Sequence, residues 1–196
     1  MQKWNNIGEN MDIKFTAIQT KSERKYVQEL YNRSVPAHEK SYFYLLWWKR
    51  KRKNVSFVNV YDSDKWVGFA YYSTHDDLVY IGFFATVDSK TSKKYDEAMF
   101  NEFKRLYPKH RIAISIEIEN TVSDNVDQAA KEATFYHEIG FKPSGYYVFK
   151  ETDSFEVVVF GGDFDIEELY RVNKEVYPLI GNFLSSVTRK QIQKRV

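Results

Sequence analysis

Two acidic residues and one tyrosine are the side chains of this chain best placed to do chemistry. Glu117 and Glu119 alternate with Ile112, Ile114, Ile116 and Ile118. That alternation predicts a strand over Arg111–Glu119 with the isoleucines on one face and both carboxylates on the other. Two acids on one sheet face raise each other's pKa toward a range useful to a base, or they bind a cation. Solvated edge carboxylates are the plainer alternative. Tyr136 sits one turn before Gly140 in the run Ala133-Thr-Phe-Tyr-His-Glu-Ile-Gly-Phe141. Helical periodicity ends at Ile139, Gly140 can take the left-handed cap, and Phe141 opens the next apolar run. His137 points about 100° away from Tyr136 around that helix and is read as surface.

Other chemistries are excluded by composition. The chain has no cysteine, which removes thiolate metal sites and cysteine nucleophiles, and only 8 glycines, which argues against a glycine-rich phosphate loop. His38, His75, His110 and His137 have no metal-ligand spacing, so no metal is expected. The run Lys49-Arg-Lys-Arg-Lys53 lies close to aromatic residues, a pattern compatible with nucleic acid. Against it stand a net charge of only +2 and the lack of a recognition motif. A solvated helix end complementing the macrodipole is the default for that run. No apolar run reaches the roughly 20 residues that span a bilayer, and no signal-peptide core is seen. The expectation is a cytoplasmic protein without a membrane partner.

These side chains need a scaffold, and its elements can be read from the pattern. Ile13–Ile18 alternates as a first strand, Ser22 is read as the cap of a first helix, and Pro36 opens a second that carries Tyr42, Leu45, Leu46, Trp47 and Trp48. The two tryptophans are read as core. Val55–Tyr61, Trp66–Ser73 and Leu78–Val87 form a meander joined by Asp62-Ser-Asp64 and His75-Asp-Asp77. A helix around Tyr95–Leu106, the isoleucine strand, a helix over Val126–Ile139 and strands at Lys142–Lys150 and Phe155–Phe160 follow. The order β, α, α, β, β, β, α, β, α, β, β implies an α/β (α+β) protein. Its mixed, mostly antiparallel sheet would have about seven strands with helices on both faces. Residues 1–11 are read as an N-terminal extension, 12–162 as the domain and 163–196 as a C-terminal helical appendage. In that appendage Ile180, Phe183, Leu184 and Val187 make an apolar stripe for its own domain or a partner subunit.

The element order, ending in Phe135-Tyr136-x-x-x-Gly140-Phe141, resembles the GCN5-related N-acetyltransferases (GNAT) over residues 12–160. The strand Trp66-x-Gly68-Phe69-x-Tyr71 and the strand end Ile116-Glu-x-Glu-Asn120 are similar to a branch of that family typical of low-GC Gram-positive bacteria. The resemblance implies an acetyltransferase with acetyl-coenzyme A as cosubstrate and no metal, acting on a small-molecule or peptide amine. It also admits a homodimer. The cofactor would enter where the fourth and fifth strands splay, with Phe84, Ala85 and Thr86 beside its pantetheine arm. Tyr136 would be the acid that protonates the leaving thiolate, a suitable match because phenol and thiol have similar basicity. Glu119, at the strand end, is the expected base; Glu39, Tyr42, Glu117 and Asn120 would bound the acceptor.

One segment departs from the family's pattern. The pyrophosphate loop, Arg/Gln-x-x-Gly-x-Gly/Ala, falls on Thr91-Ser92-Lys93-Lys94-Tyr95-Asp96 and has lost its signature positions. In one reading the helix-start amides still face the anion and Lys93 and Lys94 supply charge, with Ser92 adding a hydroxyl. In the other, Asp96 caps its own helix and repels a pyrophosphate. The second reading leads to an alternative function, a catalytically degenerate GNAT-fold binding or regulatory protein.

Overall fold

The computed structural model describes residues 11–35, 43–87, 92–120, 126–149, 153–176 and 192–194. For Ser92 and for 118–120, 126–129, 148, 149, 153, 166, 173–176 and 192–194 it describes the backbone alone. The elements are β1 (Ile13–Ala17), α1 (Lys21–Ser34), α2 (Phe43–Lys49), β2 (Val55–Asp62), β3 (Lys65–His75), β4 (Leu78–Thr86) and α3 (Ser92–Leu106). They continue with β5 (Arg111–Asn120), α4 (Val126–Glu138), β6 (Lys142–Phe149), β7 (Asp153–Phe160), α5 (Ile166–Val176) and β8 (Ile192–Lys194). The strands make one sheet in the order β1-β2-β3-β4-β5-β7-β6-β8. Every neighbouring pair is antiparallel except β4–β5, so the mixed, mostly antiparallel sheet expected from the sequence is present. An eighth strand joins the expected seven. β8 pairs with β6 at the sheet edge, in the segment read as purely helical. Three residues are too few to show a period. The apolar stripe at Ile180–Val187 lies outside the described residues.

Two apolar layers cover the sheet. On one face Val27, Leu30 and Tyr31 of α1, Leu46 of α2, and Leu169 and Val172 of α5 pack on Phe57, Phe69, Tyr71, Leu78 and Tyr80. On the other, Met99, Phe100 and Phe103 of α3 and Tyr136 of α4 pack on Val67, Val79, Ile81, Ile112, Ile114 and Ile116. The isoleucine face of β5 thus belongs to α3 and α4. Each such buried side chain contributes roughly 1.5–3 kcal/mol of transfer free energy.

Several local expectations need correction. Thr20 is the N-cap of α1, while Ser22 lies inside the helix. The Thr20 hydroxyl accepts from the Glu23 amide at 3.1 Å, and the Glu23 carboxylate accepts from the Thr20 amide at 2.7 Å. This reciprocal capping box was readable in Thr20-Lys-Ser-Glu23. In α2 the buried positions are Phe43, Leu46 and Lys49, three residues apart. Adjacent helical residues point about 100° apart, so Trp47 and Trp48 do not both face the core. Trp47 packs against it, whereas Trp48 is 59% exposed. Lys49, expected in solvent, is buried because it continues the inward phase.

Arg111, the first residue of β5, ties α5 to the sheet. Its guanidinium donates to both Glu168 oxygens at 2.9 and 2.6 Å, to both Asp77 oxygens at 3.1 and 2.5 Å, and to the Asp163 carbonyl at 2.7 Å.

Candidate functional site

The site starts from a strand pair that opens. β4 and β5 are parallel partners only from Leu78–Arg111 to Ile81–Ile114. Beyond that point β4 runs on to Thr86 and β5 to Asn120 without pairing to each other. Each keeps its outer neighbour: Phe83, Phe84, Ala85 and Thr86 pair with β3, and Ser115, Ile116, Glu117, Glu119 and Asn120 pair with β7. The inner edges facing one another therefore carry main-chain groups outside any ladder.

Both strands bulge, β4 directly after the last pair and β5 four residues beyond it. In β4 the register moves from Ile81–Tyr72 to Phe83–Tyr71, which leaves Gly82 as the extra residue. In β5 it moves from Glu117–Phe155 to Glu119–Ser154, which leaves Ile118 extra. A bulge bends its strand and increases the local twist, and here it turns two neighbours away from each other. Gly82 also changes the phase of β4. Phe83 and Ala85 consequently remain on the face of α1, α2 and α5, and Phe84 on the face of α3 and α4. The bulge at Ile118 interrupts the strict alternation on which a common face for Glu117 and Glu119 was expected.

Gly68 of β3 lets the opened half of β4 come close. A Cβ there would lie 2.1 Å from the Ala85 carbonyl oxygen and 3.1 Å from the Thr86 Cα. Only a residue without a side chain fits.

Tyr136 stands behind this opened strand and faces inward. Its ring is 2% exposed and packs edge-on against Phe100 at 5.4 Å, Phe135 at 5.4 Å and Phe141 at 5.6 Å. Phe100 in turn meets Phe84 of β4 at 5.5 Å, so a line of rings joins the wedge to the phenol. Burial first, then the charges of Glu132 and Asp96, push the Tyr136 pKa well above that of an ordinary phenol. The group is held protonated, able to donate a hydrogen bond but a weaker acid than an ordinary phenol, so the match in basicity to a thiol expected from the sequence is shifted. His137 is exposed on the other side of the helix, where it was expected.

Glu117 lies just past the last β4–β5 pair. It is half-buried, and its Oε1 is out of solvent without a hydrogen-bond partner among the described residues. Its strand phase matches Ala113 and Ser115, on the face of α1 and α2, where Ser115 Oγ lies 2.9 Å from the Tyr80 hydroxyl. One of the two Glu117 oxygens is thus out of solvent, unlike a fully solvated edge carboxylate. A buried carboxylate oxygen lacking a donor is costly unless something cationic or protic reaches it.

The start of α3 clarifies the departed loop. The helix begins at Ser92, so Ser92, Lys93 and Lys94 carry amides without intrahelical partners, and the amide of Asp96 is already inside the helix. Asp96 is thus not the cap of α3. Burial first, then the charge of Glu132 on α4, raise its carboxyl pKa to about 7. Lys93 and Lys94 are exposed on the first turn, and the Tyr95 side chain is buried in the core with only its backbone left to serve a ligand. Glu39, Tyr42 and Thr91 lie outside the described residues, and Glu119, Asn120 and Ser92 are placed by backbone alone, on β5 and at the start of α3. Glu132, which sequence reasoning passed over, is the addition; its spacing of four from Tyr136 on an amphipathic helix was the available signal. Among the described residues no group of three or more His, Cys, Asp or Glu could hold a metal ion, and no helix is long and apolar enough to cross a membrane.

No family model matches the sequence, and neither does any curated protein. Solved structures do. The chain is similar to a putative acetyltransferase of the GNAT family from Bacteroides thetaiotaomicron, at 24% identity and a TM-score of 0.63, covering 81% of this chain and 92% of that one. It is also similar to the aminoglycoside 6'-N-acetyltransferase of Enterococcus faecium, at 12% identity and a TM-score of 0.59, over 79% of this chain and 100% of the other. A chimeric spermidine N-acetyltransferase from Vibrio cholerae matches at 14% identity and a TM-score of 0.57, over 76% and 94%. The architecture of this chain is the GNAT acetyltransferase fold.

Proposed function

We propose that the protein transfers an acetyl group from acetyl-coenzyme A to an amine, by direct attack while both substrates are bound. The opened β4–β5 pair with Tyr136 buried behind it carries this reading. The residues present fit the cofactor. The inner edge of β4 at Phe84, Ala85 and Thr86 offers main-chain groups to a pantetheine arm. The first turn of α3 offers amides and the positive end of its dipole to a pyrophosphate, with Lys93 and Lys94 nearby. Asp96 lies past that turn, inside the helix. The bound cofactor would supply the activated acyl group as a thioester.

The chain's own residues then divide the proton work. Glu117, rather than the expected Glu119, is the carboxylate whose buried oxygen calls for a cation; it accepts the ammonium of the acceptor and takes its proton. The acceptor reaches it from the side of α1 and α2. Tyr136 gives its proton to the departing sulfur. The acceptor is a small-molecule or peptide amine, in keeping with the aminoglycoside and spermidine enzymes whose fold the chain shares. We place the protein in the cytoplasm and within the branch of the family to which the Trp66 and Ile116 segments are similar.

Acetyl-coenzyme A at 100 times its Kd should stabilise the fold by about 2.7 kcal/mol. For a domain of this size that is a rise of about 5–10 °C in Tm. Tyr136→Phe should keep that shift and lower kcat roughly 10²-fold or more in an amine panel. No shift at millimolar cofactor would remove the reading. A shift with no turnover on any amine would instead favour a GNAT-fold binding protein.

A further inference from the structure

We propose that the outer face of α2 is a docking surface for single-stranded nucleic acid, with bases stacking on its rings and nearby cations meeting the phosphates. The surface is separate from the wedge and does not depend on the transfer reading above. Segment 43–53 carries five cations and no acid, so a net charge of only +2 conceals a local excess. Of the four large apolar side chains exposed among the described residues, Tyr44 at 63% and Trp48 at 59% both belong to this seven-residue helix. They are four positions apart and therefore neighbours on one face, turned away from the buried Leu46 and Lys49.

Two arginines are held among these rings. Arg50 lies over the Trp47 ring at 3.8 Å, and Arg24 of α1 approaches the same ring at 5.4 Å and Tyr44 at 5.8 Å. Neither guanidinium has a carboxylate partner among the described residues, and the Arg50 Nε is buried without a hydrogen-bond acceptor. A plain solvated helix end would leave its cations in water. Here two are fixed against aromatic rings with no acid to neutralise them, and Lys51 and Lys53 are exposed in the turn that follows. Trp47 rests on Phe57 of β2, two strands from the opened edge of β4.

What fits this face is an anion that also carries flat rings. A guanidinium pairs with phosphate in a fork, and every base has a face to stack on a tyrosine or tryptophan. The strand must be single, because a duplex keeps its bases stacked on one another. Other occupants fit less well. A second copy would set one cationic segment against its twin across a two-fold axis. A lipid surface calls for exposed aliphatic side chains beside the cations. The one large example among the described residues, Leu106, ends α3 on the other side of the sheet. An acidic peptide would meet the charge and leave Tyr44 and Trp48 without a role.

The test measures binding of a labelled oligoadenylate RNA of about twelve nucleotides to the full chain by fluorescence anisotropy. The slope of log K on log salt should be about −2 to −3, as for three or four cations on a single strand. Tyr44→Ala and Trp48→Ala should each weaken binding roughly tenfold, whereas Trp48→Phe should stay within about threefold of the wild type. Lys51→Gln combined with Lys53→Gln should bring the slope about 1.4 closer to zero. All these side chains are exposed, so the variants should keep the wild-type Tm and any loss of affinity is local. Saturating acetyl-coenzyme A should leave the affinity unchanged. No binding at about 0.1 mM protein in low salt would overturn the proposal. So would ring variants that bind as well as the wild type, or equal affinity for a polyglutamate peptide. Tighter binding to phosphatidylserine vesicles than to the RNA would make the face a membrane contact instead, and displacement of the RNA by acetyl-coenzyme A would move it to the wedge; either result overturns the assignment.

Discussion

Arg111→Ala should loosen α5 from the sheet, and its cost can be worked contact by contact. The guanidinium makes two bonds to Asp77, two to Glu168 and one to the Asp163 carbonyl. The Asp77 side chain is 60% exposed, so that pair contributes about 0.2–1 kcal/mol. The Glu168 side chain is only 16% exposed, and removing its partner costs about 1.5–3 kcal/mol. The Arg111 stem also packs on Gly162, where a Cβ would lie 3.1 Å from Cδ, so truncation leaves a gap there. The total is ~2–4 kcal/mol, or a fall of about 5–15 °C in Tm. Denaturant unfolding of Arg111→Ala, Glu168→Ala and the double variant would give the coupling directly. Arg111→Lys should fall between, since one ammonium cannot reproduce a fork shared by two carboxylates. Acid should reveal the same clamp. Hydrogen bonds from Arg111 come first among the causes that depress both Asp77 and Glu168. Their stabilisation is present above the unfolded carboxylate range and is lost as pH falls through the depressed values, so the Arg111→Ala penalty should shrink below about pH 4. A penalty under about 0.5 kcal/mol at pH 7 would mean that Leu169 and Val172 hold α5 unaided, and would refute the argument.

Three further outcomes follow from local geometry. Gly68→Ala puts a methyl 2.1 Å from a backbone oxygen that cannot swing away, so it should cost about 2–4 kcal/mol by urea titration. It should also weaken acetyl-coenzyme A binding, because the opened half of β4 must shift. Thr20→Ala removes one arm of the capping box and should cost about 1 kcal/mol without touching the site. Asp96→Asn should change stability with the opposite pH sign to the Arg111 clamp. A carboxyl raised on folding loses stability as pH climbs from its unfolded value through about 7, so Tm of the variant should match wild type near pH 4 and exceed it at pH 8.

Much of this scaffold was legible because the signals were periodic. Ile112, Ile114 and Ile116 alternate, and they do face α3 and α4; Tyr136 precedes a glycine stop, and Gly140 takes φ 96° after it. What stayed hidden were departures from period. Gly82 breaks no hydrophobic alternation that the eye would notice, since Phe83 and Phe84 are both apolar, although a glycine inside a strand is the ordinary mark of a bulge. The bulge at Ile118 is concealed within the run of isoleucines. Glu117 reads as solvated on the strand pattern alone, because only tertiary packing buries its oxygen. Trp48 and Lys49 depart from the sequence expectation because adjacent helix positions do not share one face, and phase rather than hydrophobicity decides which of them points inward. Glu132 was passed over because a carboxylate on an amphipathic helix is ordinarily solvated.

The hidden features are the ones that make the site. A parallel pair of β4 and β5 zipped over its whole length would satisfy every main-chain group and leave no room for a ligand. The bulge at Gly82 comes directly after the last pair, Ile81–Ile114, and the bulge at Ile118 bends β5 further along, while β3 and β7 keep the outer ladders. The loss is thereby confined to one short stretch of inner edge. Arg111 anchors the closed end of the same pair, and Gly68 lets the opened end of β4 lie flat against β3. An extended ligand with its own amide groups restores the missing bonds, so the free energy forgone in folding returns on binding. Closing the gap should therefore trade affinity for stability. A Gly82 deletion that restores continuous pairing should raise Tm and abolish cofactor binding together.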